Sequence, residues 1–194
     1  GYDKDGDEFR ENAVGKTIFT FGLKEAISAG ILSPFNYHLV KVDLTDEDIK
    51  QTQNARAKAE IEKKKNPSNI GEIHKKMAQD IARVYQMAEN KPGVFREYAN
   101  KYPDSVKNCI IFCAQHTQGD EIAQILNNMN PRPEFKIFYT QTSKEEKDKA
   151  LSQLSKGELD TIIACQNLSQ GIDISRLSRI FLLASWSEMR QTIQ

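Results

Sequence analysis

From residue 106 onward the chain alternates short, wholly apolar runs with helical segments, and this alternation limits the fold more than any other feature. NCIIFCA (108–114), FKIFYT (135–140), DTIIAC (160–165) and SRIFLLA (178–184) read as strands. Between them, GDEIAQILNNM (119–129) and SKEEKDKALSQLSKG (143–157) read as helices. In the second, Ser143 is the expected N-cap, Glu146 completes a capping box and Gly157 is the stop. SEMRQTIQ starts a last helix with Ser187 as its N-cap. Strands with no polar side must be buried on both faces, the pattern of a parallel sheet covered by helices. The right-handed crossover rule then makes this a doubly wound α/β domain.

The first part of the chain has a different texture. Residues 1–16 read as a polar linker and TIFTF (17–21) as a short strand. LKEAISAG (23–30) has helical spacing with a terminal glycine, and YHLVKVDL (37–44) alternates like a strand. Thr45 is a good N-cap for a charged helix running to about Lys65, and Asn66-Pro67-Ser68 ends it. A second helix, roughly 69–90, carries Ile70, Ile73, Met77, Ile81, Val84 and Met87 as an amphipathic stripe, best read as core packing. A third, short helix is expected over 93–102. The expected layout is therefore 1–44 as linker and first strands, 45–103 as a helical insertion or lobe, and 104–194 as the main α/β domain.

Charge gives no hint of a polyanion partner, since 27 basic and 27 acidic residues cancel. Any phosphate contact must come from a local patch or from backbone amides. Cys109 and Cys113 share one face of a strand, and with Cys165 they read as buried apolar thiols in a reducing cytoplasm. His38, His74 and His116 are scattered, so no metal site is expected. No stretch approaches ~18 consecutive apolar residues, so no membrane span is expected either. The ends of the sequence suggest a fragment of a longer chain.

Ligands of open parallel sheets bind at the carboxyl ends of the strands. The corresponding loops are 115–118, 140–143, 166–173 and 185–188, rich in Gln, Thr and Ser. Such groups suit phosphate oxygens, and they are equally ordinary in loops. Asp173, two residues after Gly171 and flanked by Ile172 and Ile174, either accepts hydrogen bonds from a ribose or neighbouring loop, or caps the turn SRLS.

The stretch CQNLSQGIDI (165–174) resembles motif V of the superfamily 2 helicases, whose core is Gly, an apolar residue and Asp. SWSEMRQTIQ resembles the run into motif VI, and NCIIFCAQ resembles motif IV. TSKEEKDKALSQLSKGELDTIIA is similar to the capped helix and strand that precede motif V. Order and spacing agree across 106–194, so this part resembles the second RecA-like motor domain, truncated at motif VI. FGLKEAISAGILSPFNYHLVKVDLTDED resembles the segment joining the two motor domains in the restriction-enzyme and repair-helicase branch.

The resemblance implies an ATP-dependent helicase or translocase acting on DNA, RNA not being excluded. ATP and Mg²⁺ would bind in the full-length protein, between this domain and the first RecA-like domain of the same chain. Gly171, Asp173, Gln191 and Gln194 would lie on the ATP side. Gln115, His116, Thr140, Thr142, Ser143, Cys165 and Gln166 would contact the nucleic-acid backbone. Cys165 replaces a frequent Thr, and Gln170 stands where many relatives carry a charge. No P-loop, Mg²⁺ motif or motif VI arginine is present, so the isolated chain is expected to be inactive. Gly15-Lys16-Thr17 resembles a P-loop end, but Arg10 stands where the first glycine is required. The rival reading is a non-catalytic nucleic-acid-binding α/β module. A dinucleotide-binding domain is disfavoured because no GxGxxG follows an early strand.

Overall fold

The computed structural model describes residues 22–165 and 176–184. The expected strand at 17–21, the last helix with Ser187, and Lys16 lie outside the described residues. The chain divides into two compact units, residues 1–41 and 42–194.

In the first unit, α1 (Leu23–Ser28) forms where the sequence places it. Glu25 accepts a hydrogen bond from the Gly22 N–H at the start. Gly30 ends the helix in the left-handed region, φ 70°, and the Ile31 N–H returns to the Ala26 carbonyl. The strand expected over 37–44 is not formed: residues 33–45 have no regular structure. Tyr37, Leu39 and Val40 are 68%, 85% and 52% exposed. Alternation favours an extended backbone, but a strand also needs a neighbour to complete its ladder and a layer to cover its apolar side. This segment has neither among the described residues.

The second unit opens with a helical hairpin, α2 (Asp46–Lys65) and α3 (Ile70–Gln86), linked through a 3₁₀ turn at Pro67–Asn69. Thr45 caps α2 as expected: its hydroxyl accepts from the Asp48 N–H, and Asp48 accepts from the Thr45 N–H. The small side chains of Ala55 and Ala59 on α2 let α3 approach closely, and Ile73 is the α3 residue most fully buried. The two helices pack mainly on each other. At the base, the Asp48 carboxylate also accepts from the Glu89 N–H, and Asn90 donates to the Asp43 carbonyl, pinning both ends of the hairpin together.

A third helix, α4 (Lys91–Lys101), sends Phe95 and Ala99 into the same core as the sheet. Then β1 (Cys109–Cys113), α5 (His116–Asn127), β2 (Phe135–Phe138), α6 (Lys144–Lys156), β3 (Thr161–Cys165) and β4 (Arg179–Leu182) follow in turn. The strands form one sheet in the order β2-β3-β1-β4. Every pairing is parallel, with Cys113 opposite Cys165 and Phe112 opposite Leu182. The chain steps outward from β1 to β2 and back to β3. With a constant crossover hand, α5 and α6 must lie on opposite faces.

Burial follows this geometry. Cys109, Ile111, Cys113, Ile163 and Cys165 face α4 and α5, meeting Phe95, Ile122 and Leu126. Ile110, Ile162 and Ala164 face α6, meeting Ala150, Leu151 and Leu154. Each fully buried isoleucine contributes about 1.5–3 kcal/mol from loss of apolar surface to water. Ser143 and Glu146 form the expected reciprocal cap of α6, and Gly157 closes it at φ 79°. Several boundaries differ by a few residues, the start of α5 among them. The helix expected from Gly119 begins three residues earlier, at His116. Gly119 lies inside this helix, where it closely approaches Cys165.

Candidate functional site

The described strands run parallel and end at one edge, where β3 lies between β1 and β2 and the loops after β1 and β2 meet across it. Gln115, extended at φ −144° and ψ 166°, precedes α5 without capping it through its side chain. With its amide oxygen turned toward Arg83 of α3, it accepts from Nε at 3.2 Å and from Nη2 at 3.1 Å. His116 Nε2 lies 3.2 Å from the Thr140 hydroxyl, joining the β1 and β2 loops. Its ring packs edge-on against Tyr139, 4.9 Å between centroids. The Tyr139 hydroxyl donates to Asp120, and this hydrogen bond pushes the phenol up to about 12.

The remaining sequence-predicted residues are tied into local structure. The Thr142 hydroxyl accepts from the Tyr139 N–H at 2.9 Å, which fixes the tight turn after β2. Ser143 is occupied as the α6 cap: it accepts from the Glu146 N–H at 3.2 Å and donates to the Glu146 carboxylate at 2.8 Å. Cys165 points into the core, not to the edge. It is fully buried in register with Cys113. The hydrogen bond that Cys113 donates to Cys165, reinforced by burial, holds Cys113 protonated far above the ordinary thiol range. At this position only the backbone can reach a ligand. Gln166, Gly171, Asp173, Gln191 and Gln194 lie outside the described residues. Gln115, His116, Thr140, Thr142 and Ser143 thus share the carboxyl edge, while the side chain of Cys165 does not join them.

Three residues missed by the sequence reading organise this edge. Gln118, only 2% exposed, folds back so that its amide oxygen accepts from the Ala114 N–H at 2.8 Å. Its amide nitrogen donates to the Gln86 carbonyl at the end of α3, 3.2 Å away. Lys91 donates to the same Gln86 carbonyl at 3.3 Å and to the Leu183 carbonyl just past β4. Arg83 is the third, through Gln115. The last turn of α3 is therefore bolted to the ends of both β1 and β4. Burial lowers the Lys91 pKa, because the ammonium is partly withdrawn from water. In the sequence, Lys91 and Pro92 stand between the two helices expected over 69–90 and 93–102.

A cavity of about 510 Å³ opens between the hairpin base and the β1 loop. Its lining includes Glu47, Asp48, Asp80, Glu89 and Glu121, against Arg83 as the single cation. That balance repels phosphate from this cavity. Among the described residues no group of three or more His, Cys, Asp or Glu side chains can hold a metal ion. No described helix is long and apolar enough to cross a membrane.

The fold is similar to the C-terminal domain of the SWI2/SNF2 ATPase of Sulfolobus solfataricus, with a TM-score of 0.55 at 15% identity. That alignment covers 71% of this chain and 66% of the other. It is also similar to the SWI2/SNF2 ATPase core domain of the same organism, with a TM-score of 0.53 at 16% identity. There it covers 77% of this chain and 34% of the other, so the chain spans about a third of that core. No curated protein matches the chain. The family model of the helicase conserved C-terminal domain matches residues 90–194, from the start of α4 through the whole sheet. On this match over more than half its length, and with a parallel sheet wound as the family requires, the chain belongs to the helicase conserved C-terminal domain family.

Proposed function

We propose that this chain is the second RecA-like motor domain of an ATP-dependent superfamily 2 DNA helicase or translocase, in the restriction-enzyme and repair-helicase branch. The observation that carries this reading is the family match over the sheet, together with the polar carboxyl edge on which Gln115, His116, Thr140 and Thr142 stand beside the Ser143 cap of α6. Hydroxyls, carboxamides and the amino end of α5 suit phosphate oxygens of a strand laid across that edge. With Cys165 turned inward, the neighbouring contact falls to its backbone and to Gln166. Gly171, Asp173, Gln191 and Gln194 would face the nucleotide, which with Mg²⁺ is shared with the first motor domain. That first domain, in the same longer chain, supplies the phosphate loop this sequence lacks. Residues 45–103 would form a helical lobe on the motor domain of 104–194. The three free, buried thiols suit a reducing cytoplasm.

In this scheme nucleotide-driven closure of the two domains moves the gripped strand, and the energetics are those of positioned charge around the transferring phosphoryl group. The test uses the full-length protein. DNA-stimulated ATP hydrolysis should appear in it and be absent from residues 1–194 alone. Substituting His116→Ala together with Thr140→Val should raise the DNA concentration needed for half-maximal stimulation, with the unstimulated rate kept. ATP turnover by residues 1–194 alone, or a full-length protein with no nucleic-acid-dependent turnover, would sink the reading.

A further inference from the structure

The helical hairpin is polarised along its length. Its outer half, residues 56–76, holds seven basic side chains (Arg56, Lys58, Lys63, Lys64, Lys65, Lys75, Lys76) and three acidic ones. Its inner half, residues 45–55 and 77–90, holds five acidic side chains (Asp46, Glu47, Asp48, Asp80, Glu89) and two basic ones. Net charge is thus +4 at the tip (7 − 3) and −3 at the base (2 − 5) in a chain whose total is zero. A helix pair kept soluble by its charges needs only mixed signs, ideally as spaced pairs along each helix. The tip acids Glu60, Glu62 and Glu72 stand three or four residues from lysines, yet the tip keeps its net charge of +4. Among the described residues Lys63, 2.6 Å from Glu60, is the one tip cation in an ion pair. Arg56, Lys58, Lys64, Lys65, Lys75 and Lys76 are exposed and in none.

The placement of the hairpin gives this asymmetry a use. Its helices pack mainly on each other, and its acidic end is fixed to the sheet edge through Gln86, Gln118 and Lys91. Seventeen residues of α3 at ~1.5 Å rise carry the basic tip ~25 Å from that anchor. The hairpin precedes the residues matched by the family, which begin at residue 90.

We propose that the tip of this hairpin is a second nucleic-acid contact, gripping the phosphate backbone through Lys64, Lys65, Lys75 and Lys76 at a distance from the sheet edge. The choice of nucleic acid as the polyanion rests on the motor-domain reading. Exposed ammonium groups on flexible stems bind phosphates as point charges, without base selection. The acidic base repels the same backbone, so a bound strand is held at the tip and bridges outward to the edge.

The experiment follows binding of residues 1–194 to fluorescent duplex and single-stranded DNA by anisotropy across a salt series. Three fourfold variants are compared with the natural chain: K64E/K65E/K75E/K76E, the neutral K64Q/K65Q/K75Q/K76Q, and a control, K101E/K136E/K144E/K149E, with the same charge change elsewhere. Circular dichroism checks that each keeps its helices, and the glutamine set preserves the test if the glutamate set does not fold. The expected result is a loss of about tenfold or more in affinity for both tip variants. The slope of log affinity against log salt should flatten by about 2–4, since each phosphate contact contributes ~0.9 on duplex and ~0.7 on single strands. The arm losing more identifies the preferred form. Equal losses in tip and control variants would overturn the proposal, as would undiminished binding by the tip variants. Binding to phosphatidylserine vesicles with none to either DNA would overturn it too. The motor reading is decided separately by ATP turnover in the full-length protein, so either idea can fail alone.

Discussion

Gly119 lies so close to the thiol of Cys165 that a methyl group on its α-carbon would sit 2.2 Å from Sγ. This contact lets the first turns of α5 rest directly on the carboxyl end of β3. It sets the height of α5, and with it the positions of Gln115, His116 and Gln118 at the sheet edge. Cys165 has little room to turn aside, being fully buried beside Cys113.

Gly119→Ala should therefore destabilise the domain despite alanine's better helix propensity. The propensity gain is about 1 kcal/mol and overpacking costs about 1–3, so a net loss of up to about 2 kcal/mol is expected in urea unfolding. Cys165→Ala removes the atom in the way, and the double variant should recover most of the loss. Simple additivity of the two changes would rule out this contact as the cause.

Gln118→Met should loosen the bolt between hairpin and sheet. The change keeps volume but leaves the Ala114 N–H without an acceptor in a buried site, at a cost of about 1–3 kcal/mol. Hydrogen exchange at the Ala114 amide should accelerate more than at the β3 amides. Unchanged protection at Ala114 would mean that the Gln118 contact is unimportant.

The cap of α6 couples stability to acid. Hydrogen bonds from the Ser143 side chain and backbone lower the pKa of Glu146 below 4.5. A depressed carboxyl contributes stability that is present above its unfolded pKa and is lost as pH falls through the folded one. Ser143→Ala should cost about 1 kcal/mol at neutral pH. It should also make stability less steep below pH 4.5, and a parallel acid limb in both proteins would contradict this.

Tyr139 offers a spectroscopic test of the edge. Its phenol is raised to about 12 from 10.0, first by its hydrogen bond to Asp120. Its contribution is fully present below the unfolded value and disappears as pH rises through the folded one. Asp120→Asn should bring the phenol back toward 10.0 in an ultraviolet titration of folded protein. A tyrosine still titrating near 12 would show that the carboxylate is not the cause.

Much of the architecture was legible in the sequence because it rests on local signals. CIIFC and TIIAC lack any polar side, so they had to be buried on both faces, and parallel strands between covering helices were the available solution. Ser143, Glu146 and Gly157 marked the ends of α6 because capping is decided within a few residues. The segment 37–44 failed for the complementary reason: its alternation is local, but strand formation depends on a distant partner. The start of α5 was misplaced because the reason for Gly119 lies on another strand, 46 residues later at Cys165.

The same division runs through the candidate site. Sequence alone determined that polar residues follow each strand and that a parallel sheet gathers them at one edge. Only the tertiary structure decided what each side chain does there: His116 meets Thr140, Ser143 is committed to its helix, and Cys165 turns inward. Arg83, Lys91 and Gln118 carried no sequence signal, because an isolated polar residue acquires its role from a carbonyl or amide brought to it by folding. The hairpin shows both levels. Its charge separation is written in the chain, but the anchoring of its acidic end to β1 and β4 exists only once Gln86 lies beside both Gln118 and Lys91. Periodicity and capping act over a few residues and can be read directly, whereas a hydrogen bond across 32 residues depends on the packing that brings its partners together.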